Sequence, residues 1–117
     1  MSNIYKCLPI NFFKYGSYNT EPFRYQDLMK IKEWRNQQID VLRQKTILTD
    51  NDQFNYYTQF IEPSFTEINP RVILFSFLFD GELIGYGGLT NCSWVDKRSE
   101  LSFLVSMFCL YPNFVAN

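Results

Sequence analysis

At 117 residues the chain has room for one small domain, and Lys+Arg 11 against Asp+Glu 12 leaves a formal net charge of −1, which points away from a general phosphate-binding or polybasic membrane surface. Hydrophobic residues at 46% and aromatics at 19% are too many for a disordered chain and enough for a packed core. His 0 removes every Ser-His or Cys-His catalytic pair and every histidine-ligated metal site.

Cys7, Cys92 and Cys109 are odd in number, widely spaced and in no CxxC arrangement. Free thiols in a reducing cytoplasm are the plain reading, with no disulfide framework, no zinc and no other metal expected. Residues 1–14 lack the apolar core and small-residue cleavage site of a secretory signal, and they read as an N-terminal extension. The longest apolar stretches, 72–79 and 101–115, fall short of the roughly 20 residues that span a bilayer. A soluble cytoplasmic protein is expected, with no nucleic-acid and no membrane partner.

In chain order, residues 15–24 predict an extended segment, because Pro22 fixes the backbone and disfavours helix at Glu21. From Tyr25 the period changes: Leu28, Ile31 and Trp34 recur at spacings of three and define one face of a helix ending near Gln37. Asp27 falls in its first turn, where the helix dipole favours a carboxylate. Residues 39–47 are ambiguous between a helical turn and a loop. Thr49 then caps a second helix, with Asp50 and Asp52 in its first turn, an apolar stripe of Phe54, Tyr57 and Ile61, and a stop at Pro63.

Residues 71–79 are almost continuously apolar and rich in β-formers, Asp80-Gly81 follows, and residues 82–89 resume the strand pattern. Asp-Gly between two such runs signals a two-residue hairpin, since both turn positions need positive φ. Apolar residues on both alternations of the first strand imply that both sheet faces are covered by helices. A loop over residues 90–97 leads to a further strand over 98–105. The order strand, helix, helix, three antiparallel strands predicts an α+β fold, helices packed on a sheet.

Three stretches resemble the GNAT-type N-acetyltransferase superfamily: the helix start Arg24-Tyr25-Gln26-Asp27-Leu28, the helix exit Trp34-Arg35-Asn36, and the hairpin from Asp80 through Gly85-Tyr86-Gly87-Gly88 to Leu89. With the strand from Lys97 to Leu104, they are similar to the branch that acetylates ribosomal-protein N-termini and amino sugars. The resemblance covers residues 15–105 and implies a partial GNAT-like fold. Acetyl-CoA would be the cosubstrate, and a primary amine of unknown identity would be the acceptor, attacking the thioester directly.

The pyrophosphate-binding turn and helix that the family places next have no counterpart in residues 106–117, an atypical apolar tail without charge or glycine. The expectation is therefore an N-terminal half of the fold, from a fragment, frameshift or truncation, itself weak or inactive. The alternatives are a non-catalytic interaction module or a degraded gene product, either exposing a sheet edge through which it self-associates.

Among candidate residues, Glu100 would take the amine proton or else be a solvated strand-end charge paired with Arg98. Tyr86 would act as an acid on the leaving thiolate or be a half-buried sheet tyrosine. Gly85, Gly87 and Gly88 allow close approach of a ligand or helix, or mark a bulge. Trp34, Arg35 and Asn36 lie where the family admits its acceptor, although a core anchor and helix capping account for them as well. The resemblance assigns Phe103, Leu104 and Val105 to the pantetheine channel through their backbone groups; the other reading is sheet core.

Overall fold

The computed structural model describes residues 3–38 and 46–105. The opening extended segment is a hairpin rather than one strand: β1 (Phe13–Tyr15) and β2 (Tyr18–Pro22) reverse at Gly16, whose φ of 60° suits glycine. One turn of 3-10 helix (Tyr25–Asp27) leads into α1 (Leu28–Gln37), which buries Leu28, Ile31 and Trp34, the face that the threefold spacing predicts. Then come α2 (Asp50–Tyr56), a wide turn (Tyr57–Ile61) and a last helical turn (Glu62–Ser64). Three long strands close the described chain: β3 (Ile73–Phe79), β4 (Glu82–Ser93) and β5 (Arg98–Val105). The sheet is antiparallel throughout, in the order β1-β2-β3-β4-β5. This is the expected α+β arrangement.

Local chemistry explains these boundaries. The Thr49 hydroxyl accepts from the Asp52 backbone N–H at 3.1 Å while the Asp52 carboxylate accepts from the Thr49 N–H at 2.9 Å, a reciprocal cap that starts α2. The second helix does not stop at Pro63, as expected, but continues through Ser64. Proline in a helix removes one N–H and crowds the carbonyl four residues back; the wide turn at Tyr57–Ile61 relieves that crowding. The expected stripe is also corrected at Phe54, which is exposed and stacks on Tyr25. Gln53, Tyr57 and Ile61 form the buried face instead, because the Gln53 amide finds the Leu28 carbonyl at 2.8 Å and is satisfied there.

Asp80 and Gly81 adopt φ of 50° and 81°, the predicted two-residue turn. The expected loop over residues 90–97 is shorter than predicted. Asn91, at φ 49°, inserts one extra residue as a bulge, so pairing resumes at Ser93↔Arg98 after Thr90↔Glu100. A second bulge places Ile84 between the pairs Phe77↔Gly85 and Leu78↔Leu83.

Directly opposed residues share a face, so Leu74, Ser76 and Leu78 lie on one side with Tyr86, Gly88, Ser102 and Leu104. That inner face carries both helices. The reading that helices cover both faces of β3 is corrected at Phe75, which on the outer face is covered by the rings of Tyr5 and Phe13. Tyr5, which the sequence reading leaves in the extension, is fully buried in the core with Leu74, Phe65 and Ile61.

A charged knot locks α1 to the sheet. Arg24 donates two 2.7 Å bonds to the Asp27 carboxylate, which also accepts from the Ser76 hydroxyl at 2.8 Å, and Ser76 in turn accepts from the Arg24 backbone N–H. Asp27 and Ser76 are buried, so every polar group in the knot needs its partner.

Candidate active site

The inner face of β3, β4 and β5, roofed by the two helices, borders a half-open cavity of about 430 Å³. Arg35 reaches it from the last turn of α1, Tyr56 and Phe60 from the second helix, Tyr86 from the middle of β4, and Arg71 from just before β3. Asn91 adds its amide where the bulge breaks the ladder. A cavity of about 520 Å³ lies beside Trp94 on the outer face, but none of the predicted site residues lines it. Chemistry, not size, selects the inner one.

Burial pushes the Tyr86 hydroxyl above its ordinary value, and the adjacent Arg35 guanidinium pulls it partly back. Burial likewise raises the Tyr56 hydroxyl, with Tyr86 adding to the rise and Arg35 opposing it. Both phenols therefore hold their protons at neutral pH and can donate them. The Arg71 guanidinium lies over the Phe60 ring, 5.3 Å from its centre. Among the described residues, neither Arg35 nor Arg71 has a carboxylate within ion-pair distance, whereas Arg24, Lys32 and Arg98 each do.

The predicted residues fall into two groups. Arg35, Tyr86, Phe103 and Leu104 line the cavity. Glu100 shares the inner face four residues before Leu104; it is exposed, and its carboxylate accepts from the Asn91 amide at 2.9 Å. Four residues of strand span about 13 Å, so Glu100 and Tyr86 do not meet directly.

Trp34 is a buried core residue with Lys30 above its ring. The Asn36 amide grips the Leu48 backbone, accepting from its N–H at 2.8 Å and donating to its carbonyl at 3.1 Å. The Phe103 side chain is largely exposed on the outer face, and the Val105 carbonyl accepts from the buried Gln38 amide at 3.0 Å.

The glycines of β4 make room for the neighbouring strands. A Cβ on Gly85 would lie 2.6 Å from the Leu104 carbonyl oxygen, and one on Gly87 2.7 Å from that of Ser102. Gly88 takes φ 151° against the Ile73 carbonyl, a position closed to a side chain. At these glycines, where the sequence leaves a ligand, a helix or a bulge open, the close neighbours are the backbones of β3 and β5.

The family profile described as "Acetyltransferase (GNAT) domain" matches residues 22–109. The chain belongs to the GNAT acetyltransferase family. Proteins of this family generally use acetyl-CoA to acylate amines, and that general acetyltransferase-like character applies here. Searches of curated proteins and of solved structures gave no match. The expectation that residues 106–117 hold no counterpart of the family's pyrophosphate-binding turn falls outside the described residues. No helix among the described residues is long and apolar enough to cross a membrane.

Sequence reasoning missed Arg71, Tyr56 and Asn91. Arg71 reads as the first residue of a strand, and Tyr56 as the helix position beside the stripe. Asn91 carries a faint signal, since asparagine tolerates positive φ and marks bulges.

Proposed function

We propose that this chain binds acetyl-CoA and that the cavity beneath Arg35 and Tyr86 receives a primary amine, as in the branch acting on protein N-termini and amino sugars. The observation carrying this reading is that Arg35 and Tyr86, singled out on separate segments, line one cavity with Leu104. In the reaction the amine lone pair attacks the thioester carbonyl carbon, a C–N bond forms, and the C–S bond breaks. One proton leaves the nitrogen and one is taken up by the coenzyme thiolate. Tyr86 supplies the second, its proton retained by burial. Glu100, oriented by Asn91, accepts the first through intervening water, since about 13 Å of strand separates it from Tyr86. The β5 backbone at Phe103, Leu104 and Val105 borders the thioester. Calorimetric titration with acetyl-CoA, followed by thiol release in the presence of amines, tests this assignment. Binding and transfer that Tyr86→Phe slows by about 10²-fold would support it; no binding and no transfer would overturn it.

A second reading is an interaction module, favoured by the side-by-side exposure of Leu101 at 72% and Phe103 at 63% on the outer face of β5. Sedimentation velocity separates the two: a dilute monomer counts against the module.

A further inference from the structure

We propose that the acceptor is a small primary amine that also carries an oxyanion, a carboxylate or a phosphate, held by Arg35 and Arg71. This rests on the acetyl-transfer reading of the same cavity and narrows it to a substrate class. Two arginines line a half-open cavity of about 430 Å³ with no carboxylate among its described lining residues, and neither is neutralised by an acid among the described residues. On that face Glu100 is exposed and bonded by Asn91, and the buried Asp27 carboxylate is neutralised by Arg24 and bonded by Ser76.

Such a cavity is hostile to a simple alkylammonium, which two fixed cations repel. An acceptor bringing its own negative group is attracted instead, and guanidinium presents paired N–H donors that match carboxylate and phosphate oxygens. The same field favours chemistry, because it disfavours the ammonium and favours the free amine that attacks the thioester. The Tyr56 phenol and the Asn91 amide supply further donors to the oxyanion, leaving Tyr86 for the thiolate. The volume sits in the range of small-molecule sites, so the whole acceptor fits inside.

The test uses the full chain with acetyl-CoA and matched acceptors: 4-aminobutyrate against butylamine, and phosphoethanolamine against ethanolamine, read by thiol release. One or both oxyanion-bearing amines should be used about 10- to 100-fold better than their uncharged partners, and which pair shows it distinguishes carboxylate from phosphate. The preference should collapse in Arg35→Gln/Arg71→Gln and survive in part in Arg35→Lys, which keeps the charge if the double variant folds poorly. Equal use of the paired amines, or a preference that persists in the double variant, overturns the inference while leaving acetyl transfer standing.

If no amine is acetylated, acetyl transfer fails on its own. Binding of N-acetyl-4-aminobutyrate and of N-acetylphosphoethanolamine, each against N-butylacetamide, read from tyrosine ring resonances, then decides the oxyanion site. Binding of either anion that is lost in the arginine variants supports it, and absence of both overturns it.

Discussion

The Tyr5 hydroxyl makes both ladder bonds at Leu74: it donates to the Leu74 carbonyl at 2.6 Å and accepts from the Leu74 N–H at 2.7 Å. β2 ends its pairing at Pro22↔Phe75, and only the Phe23 N–H reaches across to Leu74. A side chain 69 residues away thus stands where a strand backbone would. Tyr5→Phe keeps the ring packing and leaves a buried N–H without a partner, at a cost of about 1–3 kcal/mol. Tyr5→Ala also empties the ring's place against Phe65 and Phe75, raising the cost to about 3–5 kcal/mol. Chemical denaturation of both variants measures the difference: an unchanged stability in Tyr5→Phe would mean the hydroxyl contributes nothing, and equal losses in the two would mean the ring packing adds nothing.

The Arg24–Asp27 pair is asymmetric, since the Asp27 side chain is 6% exposed and that of Arg24 21%. Arg24→Ala strands a buried carboxylate that retains only Ser76 and should cost about 3–5 kcal/mol. Asp27→Ala frees a guanidinium that can turn to solvent, so its cost should be smaller. In a double-mutant cycle the paired variant should be less damaged than the sum of the two; strict additivity would show that the pair is not coupled.

Alkaline stability follows from the buried phenols. Tyr56 and Tyr86 keep their protons to a higher pH folded than unfolded, where they titrate near the ordinary value of 10.0. Above about pH 10 the unfolded chain therefore binds fewer protons than the folded one, and stability, full below that point, declines as pH rises. Melting temperatures between pH 8 and 11 should fall, and less steeply in Tyr86→Phe. An unchanged slope in that variant would remove Tyr86 from the account.

Gly87→Ala should separate β4 from β5. Its Cβ would press on the Ser102 carbonyl oxygen and the Phe103 side chain, and strand backbone cannot yield as a flexible side chain does. The expected result is loss of amide protection along residues 98–105 in hydrogen exchange, with β2–β3 pairing retained. Protection equal to the parent chain would mean that the strands have slack.

The Cys7 and Cys92 thiols are both shifted upward by partial burial from the ordinary 9.0. Alkylation by iodoacetamide, read peptide by peptide, should require a higher pH at both than free cysteine does.

The legible parts of the sequence are those where one local rule and the tertiary structure agree. Asp80-Gly81 has a single good conformation, and the helix stripe of Leu28, Ile31 and Trp34 matches the face buried. Legibility fails where a distant group settles the matter. Nothing near Tyr5 announces that its hydroxyl completes β3, and Gln53 reads as solvent-facing until the Leu28 carbonyl is found opposite. The site divides in the same way. Arg35 and Tyr86 were visible through family resemblance, while Arg71 and Tyr56 join them only through the crossing of β3 with the second helix.

The two-point grip of Asn36 on Leu48 has a consequence for how this protein can vary. Because α2 is registered against α1 by that amide, position 36 is not free to drift: asparagine offers a donor and an acceptor together at that short reach, and a residue lacking either would loosen the roof of the cavity while the sheet beneath it kept its own ladder.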